Sequence, residues 1–289
     1  EFLTQSISLY KTATENNPDI GKALMTLGNV YRSKGSFLQA KIALQEGINV
    51  YKTQSVNYAG IAKGLLYLGV IYREEGDYNK AKSLLEESLE TYKTHHYPYY
   101  SSLHARTLTH LGILYLRLGD YKKAQKFLQK GIDIYKKIRP ENHLDIDMSI
   151  LNLGEVYGEQ GNYDSAKEFV NKAIANYEMH YGKEHLVVGK SLNHLGRIYI
   201  LEQNLPKAKE VVIKALGILE KANHPEKYRS LELLGDMYAE RSQKELQISG
   251  RTSKYKFLKA KSKKIINFLG LSYTFLILAD TKSSRMSPR

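Results

Sequence analysis

Residues 103–135 read LHARTLTHLGILYLRLGDYKKAQKFLQKGIDIY and contain each element of a pattern that fills most of the chain. In this stretch Leu111 and Gly112 are followed, three residues after the glycine, by Tyr115. The same Leu-Gly pair with its tyrosine occurs six times, with the glycines at Gly28, Gly69, Gly112, Gly154, Gly196 and Gly235. These glycines are 41, 43, 42, 42 and 39 residues apart. A fixed period of this kind is typical of repeat architectures.

Columns of apolar residues around each glycine indicate two amphipathic helices per repeat. An aliphatic residue stands four positions before each glycine. An alanine stands twelve positions after the glycine in the first five repeats, followed four residues later by Leu44, Leu85, Leu128, Val170 or Val212. Offsets of three, four and seven keep side chains on one helical face. A glycine within a helix costs about 1 kcal/mol relative to alanine, so its recurrence predicts that two helices approach closely there.

A second set of glycines separates the two helices of a repeat. Gly35, Gly76, Gly119 and Gly161 are each followed by a polar residue. Glycine is favoured just after the end of a helix, and small polar residues are favoured at the start of the next. The sequence therefore predicts a helix-turn-helix unit.

The repeat resembles the tetratricopeptide repeat (TPR), with leucine where that family commonly has tryptophan. Its period of about 42 residues is longer than the usual 34 and is similar to the kinesin-light-chain variety. Three linkers, Asn142-His143-Leu144, Glu184-His185-Leu186 and Asn223-His224-Pro225, resemble that variety's Asx/Glu-His-Pro turn. The resemblance implies an all-α protein, a right-handed TPR-type α-solenoid superhelix of about six helix-turn-helix repeats.

The columns also predict the domain boundaries. Residues 1–15 are an orphan second helix of a truncated repeat, because Leu3, Ile7 and Tyr10 align with the second helix of the next repeat. The solenoid then occupies residues 16–240. Its repeats lie at about 18–56, 57–97, 98–140, 141–182 and 183–222, with a first helix alone at 223–240. Residues 241–289 are predicted to be a basic linker and an atypical C-terminal capping helix with a tail. The chain does not begin with Met, so we expect that it starts inside a longer protein.

Most of the positive charge lies near the C-terminus. The chain carries 43 Lys and Arg against 30 Asp and Glu, a formal net charge of +13. Residues 246–289 hold ten basic side chains and one acid (+9), and the other 245 residues hold 33 and 29 (+4). Because the repeats are nearly balanced and most of the tyrosines fall in packing columns, we do not expect nucleic acid as a partner. We find no signal peptide and no convincing transmembrane segment, and we predict a cytoplasmic protein.

The sequence offers no catalytic or metal-binding motif. There is no cysteine, and the nine histidines form no HExxH pair. There is no phosphate-cradling glycine loop and no Gly-x-Ser-x-Gly motif. His143, His185 and His224 recur with the repeat and are predicted to be turn and cap residues, while His110 and His194 are predicted to pack or to line a groove. We therefore predict that the protein is not an enzyme and has no cofactor or metal.

In this family the positions six and three before the glycine, and one and four after it, line the concave groove. The resemblance therefore implies a peptide-binding groove of Lys22, Met25, Asn29, Arg32, Lys63, Leu66, Val70, Arg73, Arg106, Thr109, Ile113, Leu116, Leu151, Lys190, Asn193, Arg197 and Arg229. Five of the six residues at the first of these positions are basic. We predict a scaffold or adaptor whose groove binds an acidic peptide with apolar anchors. The alternative is that these Lys and Arg residues only keep a helix face solvated.

Two other functions stay open. The repeats can be the sensing or substrate-recruiting arm of a larger protein with an ATPase or protease domain. Alternatively, the basic and apolar residues 254–279 can attach an adaptor to an anionic membrane or to nucleic acid. The oligomeric state is open as well.

Overall fold

A computed structural model describes residues 18–53, 57–95, 101–138 and 144–248. Within these ranges the chain forms eleven α-helices and no strand. They are α1 (Pro18–Ser33), α2 (Phe37–Thr53), α3 (Tyr58–Glu74), α4 (Tyr78–Thr94), α5 (Ser102–Arg117), α6 (Tyr121–Ile138), α7 (Leu144–Glu159), α8 (Tyr163–Tyr181), α9 (Leu186–Leu201), α10 (Leu205–Lys221) and α11 (Lys227–Ile248). The predicted orphan helix at 1–15 and the predicted membrane contact at 254–279 lie outside the described residues.

Odd-numbered helices are the first helices of the repeats, and even-numbered helices are the second. The chain divides into two compact units, Glu1–Asn176 and Tyr177–Arg289. In the first unit each of α1, α3 and α5 packs against the second helix of its own repeat and against the first helix of the next repeat. The same packing joins α9 to α10 and to α11 in the second unit. Both units are thus stacks of helix pairs.

The glycine of each of the first five Leu-Gly pairs lies where the two helices of its repeat touch. A Cβ atom on Gly28 would lie 2.6 Å from Leu44 Cγ, and one on Gly69 would lie 2.8 Å from Leu85 Cγ. The equivalent neighbours are Leu128 for Gly112, Val170 for Gly154 and Val212 for Gly196. Real Cβ contacts essentially never come closer than 3.0 Å. The predicted close approach is therefore confirmed, and its partner in each repeat is the residue sixteen positions after the glycine.

The turn within each of the first five repeats follows one hydrogen-bonding scheme. In the second repeat Gly76 has a φ of +87°. Its N–H donates to the Arg73 carbonyl, and the N–H of Asp77 donates to the Tyr72 carbonyl. This pair of bonds is the Schellman motif that ends many helices. The Asp77 carboxylate then accepts from the N–H of Lys80 at 3.0 Å and caps α4, which confirms the predicted turn chemistry.

The fifth repeat keeps this turn without its glycine. Gln203 occupies the equivalent position with a φ of +65°, in the left-handed region that side chains rarely adopt. The N–H of Asn204 still donates to the Tyr199 carbonyl, and the Asn204 side chain caps α10. Packing of the two helices therefore holds one glutamine in a strained conformation.

Two recurring histidines act as predicted in the linkers between repeats. His185 is the N-cap of α9, where its Nδ1 accepts from the N–H of Val187 at 3.4 Å. His224 Nδ1 accepts from the N–H of Glu226 at 3.1 Å. The prediction of cap residues is confirmed at these two positions, and His143 lies outside the described residues.

One predicted boundary, the end of the first helix of the sixth repeat, was wrong. The first helix of this repeat was predicted to end at 240, with an irregular linker from 241. Instead α11 continues to Ile248. Gln, Lys, Glu and Leu, which follow position 242, are good helix formers, and the first glycine after Gly235 is Gly250. The polar residues 241–248 therefore belong to a helix and not to a loop.

Tyrosine packing also follows the columns. Tyr51, Tyr92, Tyr135 and Tyr177, one in each of four second helices, are all at most 7% exposed. The Tyr51 ring lies where a Cβ on either Gly21 or Gly60 would stand, so the glycines of two neighbouring first helices leave space for it. These tyrosines belong to the core, as their spacing predicted.

Candidate peptide-binding site

The predicted apolar anchors of the groove are buried inside the repeats. Leu66 is fully buried and Met25 and Val70 are nearly so, and the other three, Ile113, Leu116 and Leu151, are at most 8% exposed. Met25 reaches Gly47 and Gly64 of the neighbouring helices. These side chains fill the contacts between helices, so the prediction that they bury the side chains of a ligand is corrected: they are core residues.

Two predicted polar groove residues are also used within the protein. Thr109 and Asn193, both three positions before a Leu-Gly glycine, are fully buried. Thr109 Oγ1 lies 2.7 Å from Ser149 Oγ on the next first helix. The Ser230 hydroxyl likewise donates to Asn193 Oδ1 at 2.8 Å. This position faces the following first helix, so these side chains join repeats and are not exposed to a ligand.

A column of small residues carried the signal for this contact. Five positions before each Leu-Gly glycine stand Ala23, Gly64, Thr107, Ser149, Ser191 and Ser230. Small side chains at one position of every first helix permit successive first helices to approach closely. The groove prediction did not take this column into account, and it therefore placed Thr109 and Asn193 in an open groove.

Three of the predicted basic residues do come together in the first unit. Arg73 on α3 donates from Nη1 to His110 Nδ1 on α5 at 3.1 Å, since a guanidinium has no acceptor. Burial lowers the pKa of His110 well below its usual 6.5, and the charges of Arg73, Arg32 and Arg106 lower it further. The imidazole is therefore neutral at pH 7 and accepts a hydrogen bond from an arginine surrounded by other arginines.

The Arg73 guanidinium is the centre of this group. Its side chain is 14% exposed, and burial lowers its pKa to about 10; Glu74 opposes this shift, and Arg117 and Arg32 add to it. Arg32 Nη1 lies 3.1 Å from Glu74 Oε1. We name Arg32, Arg73, Arg106, His110 and Arg117 the arginine–histidine cluster.

Two glutamates accompany the cluster without balancing it. Glu74 pairs with Arg32 and lies 3.8 Å from Arg73. Glu155, which is 1% exposed, lies 4.0 Å from Arg117 Nη2. With His110 neutral, the four arginines of the cluster and these two glutamates have a formal charge of +2, although the four acidic residues of α7 bring the formal charge of helices α1, α3, α5 and α7 together to zero. Such an arrangement attracts carboxylates, which arginine binds in a bidentate manner.

The other predicted basic residues lie elsewhere. Lys22 is exposed, and Lys63 lies over the Tyr67 ring at 5.8 Å. Asn29 accepts from Arg32 at 3.2 Å and supports the cluster. In the second unit, Lys190 is close enough to His224 to help burial lower its pKa, and Arg197 and Arg229 are half-buried with partners of their own.

Sequence reasoning missed Arg117, Glu74 and Glu155 as members of a site. Arg117 and Glu74 stand five positions after their glycines, one position beyond the predicted groove stripe. A residue one step along a helix is rotated by about 100°, yet long side chains reach across to the neighbouring helix. An excess of charged residues at this position was the available signal.

Within the described ranges, no helix is both long and apolar enough to span a membrane. Nor do three or more His, Asp or Glu side chains of these residues gather in a way that could hold a metal ion. Neither observation adds to the groove hypothesis.

The sequence pattern of the family described as Tetratricopeptide repeat matches residues 19–94, 60–137, 103–179 and 145–221. The chain belongs to the tetratricopeptide repeat family. This match confirms the predicted family. TPR repeats are interaction scaffolds and are generally non-catalytic, which gives the general class of function. A comparison with curated protein sequences found no match for this TPR chain.

Solved structures show the same TPR fold. A Rap protein complexed with Competence and Sporulation Factor has a TM-score of 0.67 and 14% identity, over 91% of this chain and 80% of that one. The apo form of RapI has a TM-score of 0.65 and 17% identity, over 92% and 93%. TPR-like repeats described as those of a P. anserina kinesin light chain have a TM-score of 0.51 and 20% identity, over 71% and 98%. The predicted all-α solenoid with kinesin-light-chain-like repeats is confirmed.

Proposed function

We propose that the protein is a non-catalytic scaffold whose arginine–histidine cluster binds an acidic peptide segment of another protein. The observation that carries this proposal is the excess of arginine over glutamate around the part-buried Arg73–His110 pair. Hydrogen bonds to charged groups contribute about 1.5–3 kcal/mol each. Two or three carboxylates of a peptide therefore suffice for specific recognition.

The neutral His110 supports this proposal. It accepts one Arg73 N–H at 3.1 Å, which fixes the orientation of that guanidinium without neutralising its charge. The remaining guanidinium donors are thus held in place for a carboxylate before the peptide arrives. Pre-organisation of this kind reduces the entropy lost on binding.

The comparisons agree with a binding role. One structural neighbour was solved in complex with Competence and Sporulation Factor. The present chain shares its fold at 14% identity, so the ligand of that protein is not transferred here. The chemistry of the cluster, and not the neighbour's ligand, defines the proposed peptide.

The test compares pairs of synthetic peptides that differ only in charge. Each acidic peptide contains Asp and Glu between leucines, and its neutral partner has Asn and Gln at the same positions. Fluorescence anisotropy with the full chain should show tighter binding of the acidic member by about tenfold or more, with a preference that weakens as salt is added.

Two double variants with equal loss of charge separate the cluster from a general basic surface. Arg32→Gln with Arg106→Gln removes two cluster members, whereas Lys22→Gln with Lys63→Gln removes two predicted groove lysines outside it. We expect the first variant to lose the preference for acidic peptides and the second to keep it. Equal effects of the two variants, or no preference in the natural chain, would contradict the proposal.

A further inference from the structure

A trough lies between the second helices of the second and third repeats, formed by residues other than those of the arginine–histidine cluster. The second helices α4 and α6 both pack against α5, but these two fully described helices do not pack against each other. A cavity of about 510 Å³ lies between them, within the range of ligand-binding clefts. Its apolar lining includes the half-buried Leu89 of α4 and Phe127 of α6, together with Leu108 and Leu111 of α5, which are at most 4% exposed. We name this cavity the α4–α6 trough.

The two walls of the trough carry opposite charges. The α4 wall presents the exposed carboxylates of Glu86 and Glu90. The α6 wall presents three exposed lysines, Lys126, Lys130 and Lys137. Spacings of four and seven residues place these lysines on one face of α6. A ligand in the trough therefore meets acidic groups on one side and basic groups on the other.

The remaining charges of the lining do not reverse this polarity. Lys93, near the end of the α4 wall, lies 3.3 Å from Glu90. On the α6 wall, Asp133 accepts a hydrogen bond from Gln129 at 2.8 Å. Each wall thus has one residue of opposite sign that is engaged by a neighbour on its own helix.

The segregation of charge is specific to this trough. At the positions of the three lysines the preceding repeat has Ser83, Glu87 and Thr94, and the following repeat has Glu168, Lys172 and Met179. At the positions of the two glutamates the preceding repeat has Gln45 and Asn49. The repeat pattern therefore does not require the lysines of the α6 wall or the glutamates of the α4 wall.

We propose that the α4–α6 trough binds an amphipathic α-helix of a partner protein. The acidic residues of this bound helix would face the lysines of α6, its basic residues would face the glutamates of α4, and its apolar stripe would lie between them. Helices commonly bind in apolar grooves in this manner. From Lys126 to Lys137 the basic wall extends about 16 Å, which is three helical turns. A uniformly acidic ligand would meet Glu86 and Glu90, and a uniformly basic one would meet the lysines.

The probes are three synthetic helical peptides of about three turns that share a leucine stripe. The first has glutamates along one flank and lysines along the other; the second has the same composition with both charges mixed on each flank; the third has glutamates on both. Binding to the full chain is measured by fluorescence anisotropy. We expect the segregated peptide to bind about tenfold more tightly than the mixed one, a difference of about 1.4 kcal/mol.

A triple variant tests whether the lysine wall causes this preference. Lys126→Ser, Lys130→Glu and Lys137→Thr take the residues that the preceding repeat has at these positions, so they suit an exposed helix face. The control, Lys172→Glu, Lys183→Ser and Lys214→Thr, makes the same change of charge at exposed positions outside the trough. The tenfold preference should disappear in the first variant and persist in the control.

Three results would overturn the proposal. The first is equal binding of the segregated and mixed peptides to the natural chain. The second is tightest binding of the all-glutamate peptide, which would indicate a site for anionic amphiphiles. The third is self-association that the triple variant abolishes, which would identify a second copy of the chain as the occupant. High salt provides a test that requires no variant, because the preference in the natural chain should disappear there. A preference that is unchanged by salt would also contradict the proposal.

Discussion

Replacing Gly112 by alanine tests how closely the two helices of a repeat are locked together. The new Cβ would lie 2.6 Å from Leu128 Cγ and 3.1 Å from the Leu128 backbone nitrogen. A rotamer change relieves the first contact but not the second, so α5 and α6 must move apart. Overpacking of a core typically costs about 1–3 kcal/mol, and the helix propensity of alanine returns about 1 kcal/mol. We expect Gly112→Ala to lower the free energy of unfolding by up to about 2 kcal/mol.

The chain provides a matched control for this variant. Gly217 lies within α10, and a Cβ there would meet nothing within 4 Å. Gly217→Ala should therefore raise the free energy of unfolding by about 0.5–1 kcal/mol, since only helix propensity changes. Urea unfolding followed by far-UV circular dichroism measures both, and amide hydrogen exchange in α5 and α6 shows whether the loss is local, as expected for a repeat array.

A double-mutant cycle identifies the steric partner. Leu128→Ala alone should cost about 2–5 kcal/mol by leaving a cavity. In that background Gly112→Ala should become less costly, because the new methyl group enters the space that Leu128 vacates. A destabilisation by Gly112→Ala that is the same in both backgrounds, or stabilisation of the natural chain by it, would refute the steric reasoning.

Three further predictions concern single features. Gln203→Gly should stabilise the chain by about 1 kcal/mol, because glycine relieves the left-handed conformation, whereas Gln129→Gly within α6 should destabilise it by about as much; thermal unfolding compares them. The pKa of His110 is lowered on folding, so its contribution to stability is complete above its ordinary pKa and is lost as the pH falls below it; a His110→Gln variant should show a shallower loss of thermal stability in acid. Thr109→Val leaves the buried Ser149 hydroxyl without its 2.7 Å partner and should cost about 1–3 kcal/mol, whereas adding Ser149→Ala should recover part of that loss in urea unfolding.

The sequence was sufficient to predict the contacts within a repeat. Gly112 and Leu128 are sixteen residues apart in one helix-turn-helix unit, and this interval is the same in each of the first five repeats. The turn at Gly76 and the cap at Asp77 follow from local backbone preferences. Gln203 shows the limit of such preferences, because packing maintains the same turn where no glycine indicates it.

The candidate site was predicted less well, because it depends on how one repeat lies against the next. The predicted stripe contained Arg32, Arg73 and Arg106, which do come together. It also contained Thr109, which the following first helix covers. Which side of a first helix stays open depends on the approach of the next repeat, and only a small-residue column recorded that approach in the sequence.

The steric lock and the hydrogen bonds between repeats differ in what they require of the neighbouring unit. The Leu-Gly glycine of each of the first five repeats contacts a residue of its own repeat, so duplication or deletion of a whole repeat would keep this contact intact. By contrast, Thr109 needs Ser149 in the succeeding unit, and Arg32 needs Glu74. Rearrangement of the repeats would therefore preserve the contacts within each repeat but would separate the residue pairs that join neighbouring repeats. The order of the repeats thus depends on the few residues at their borders.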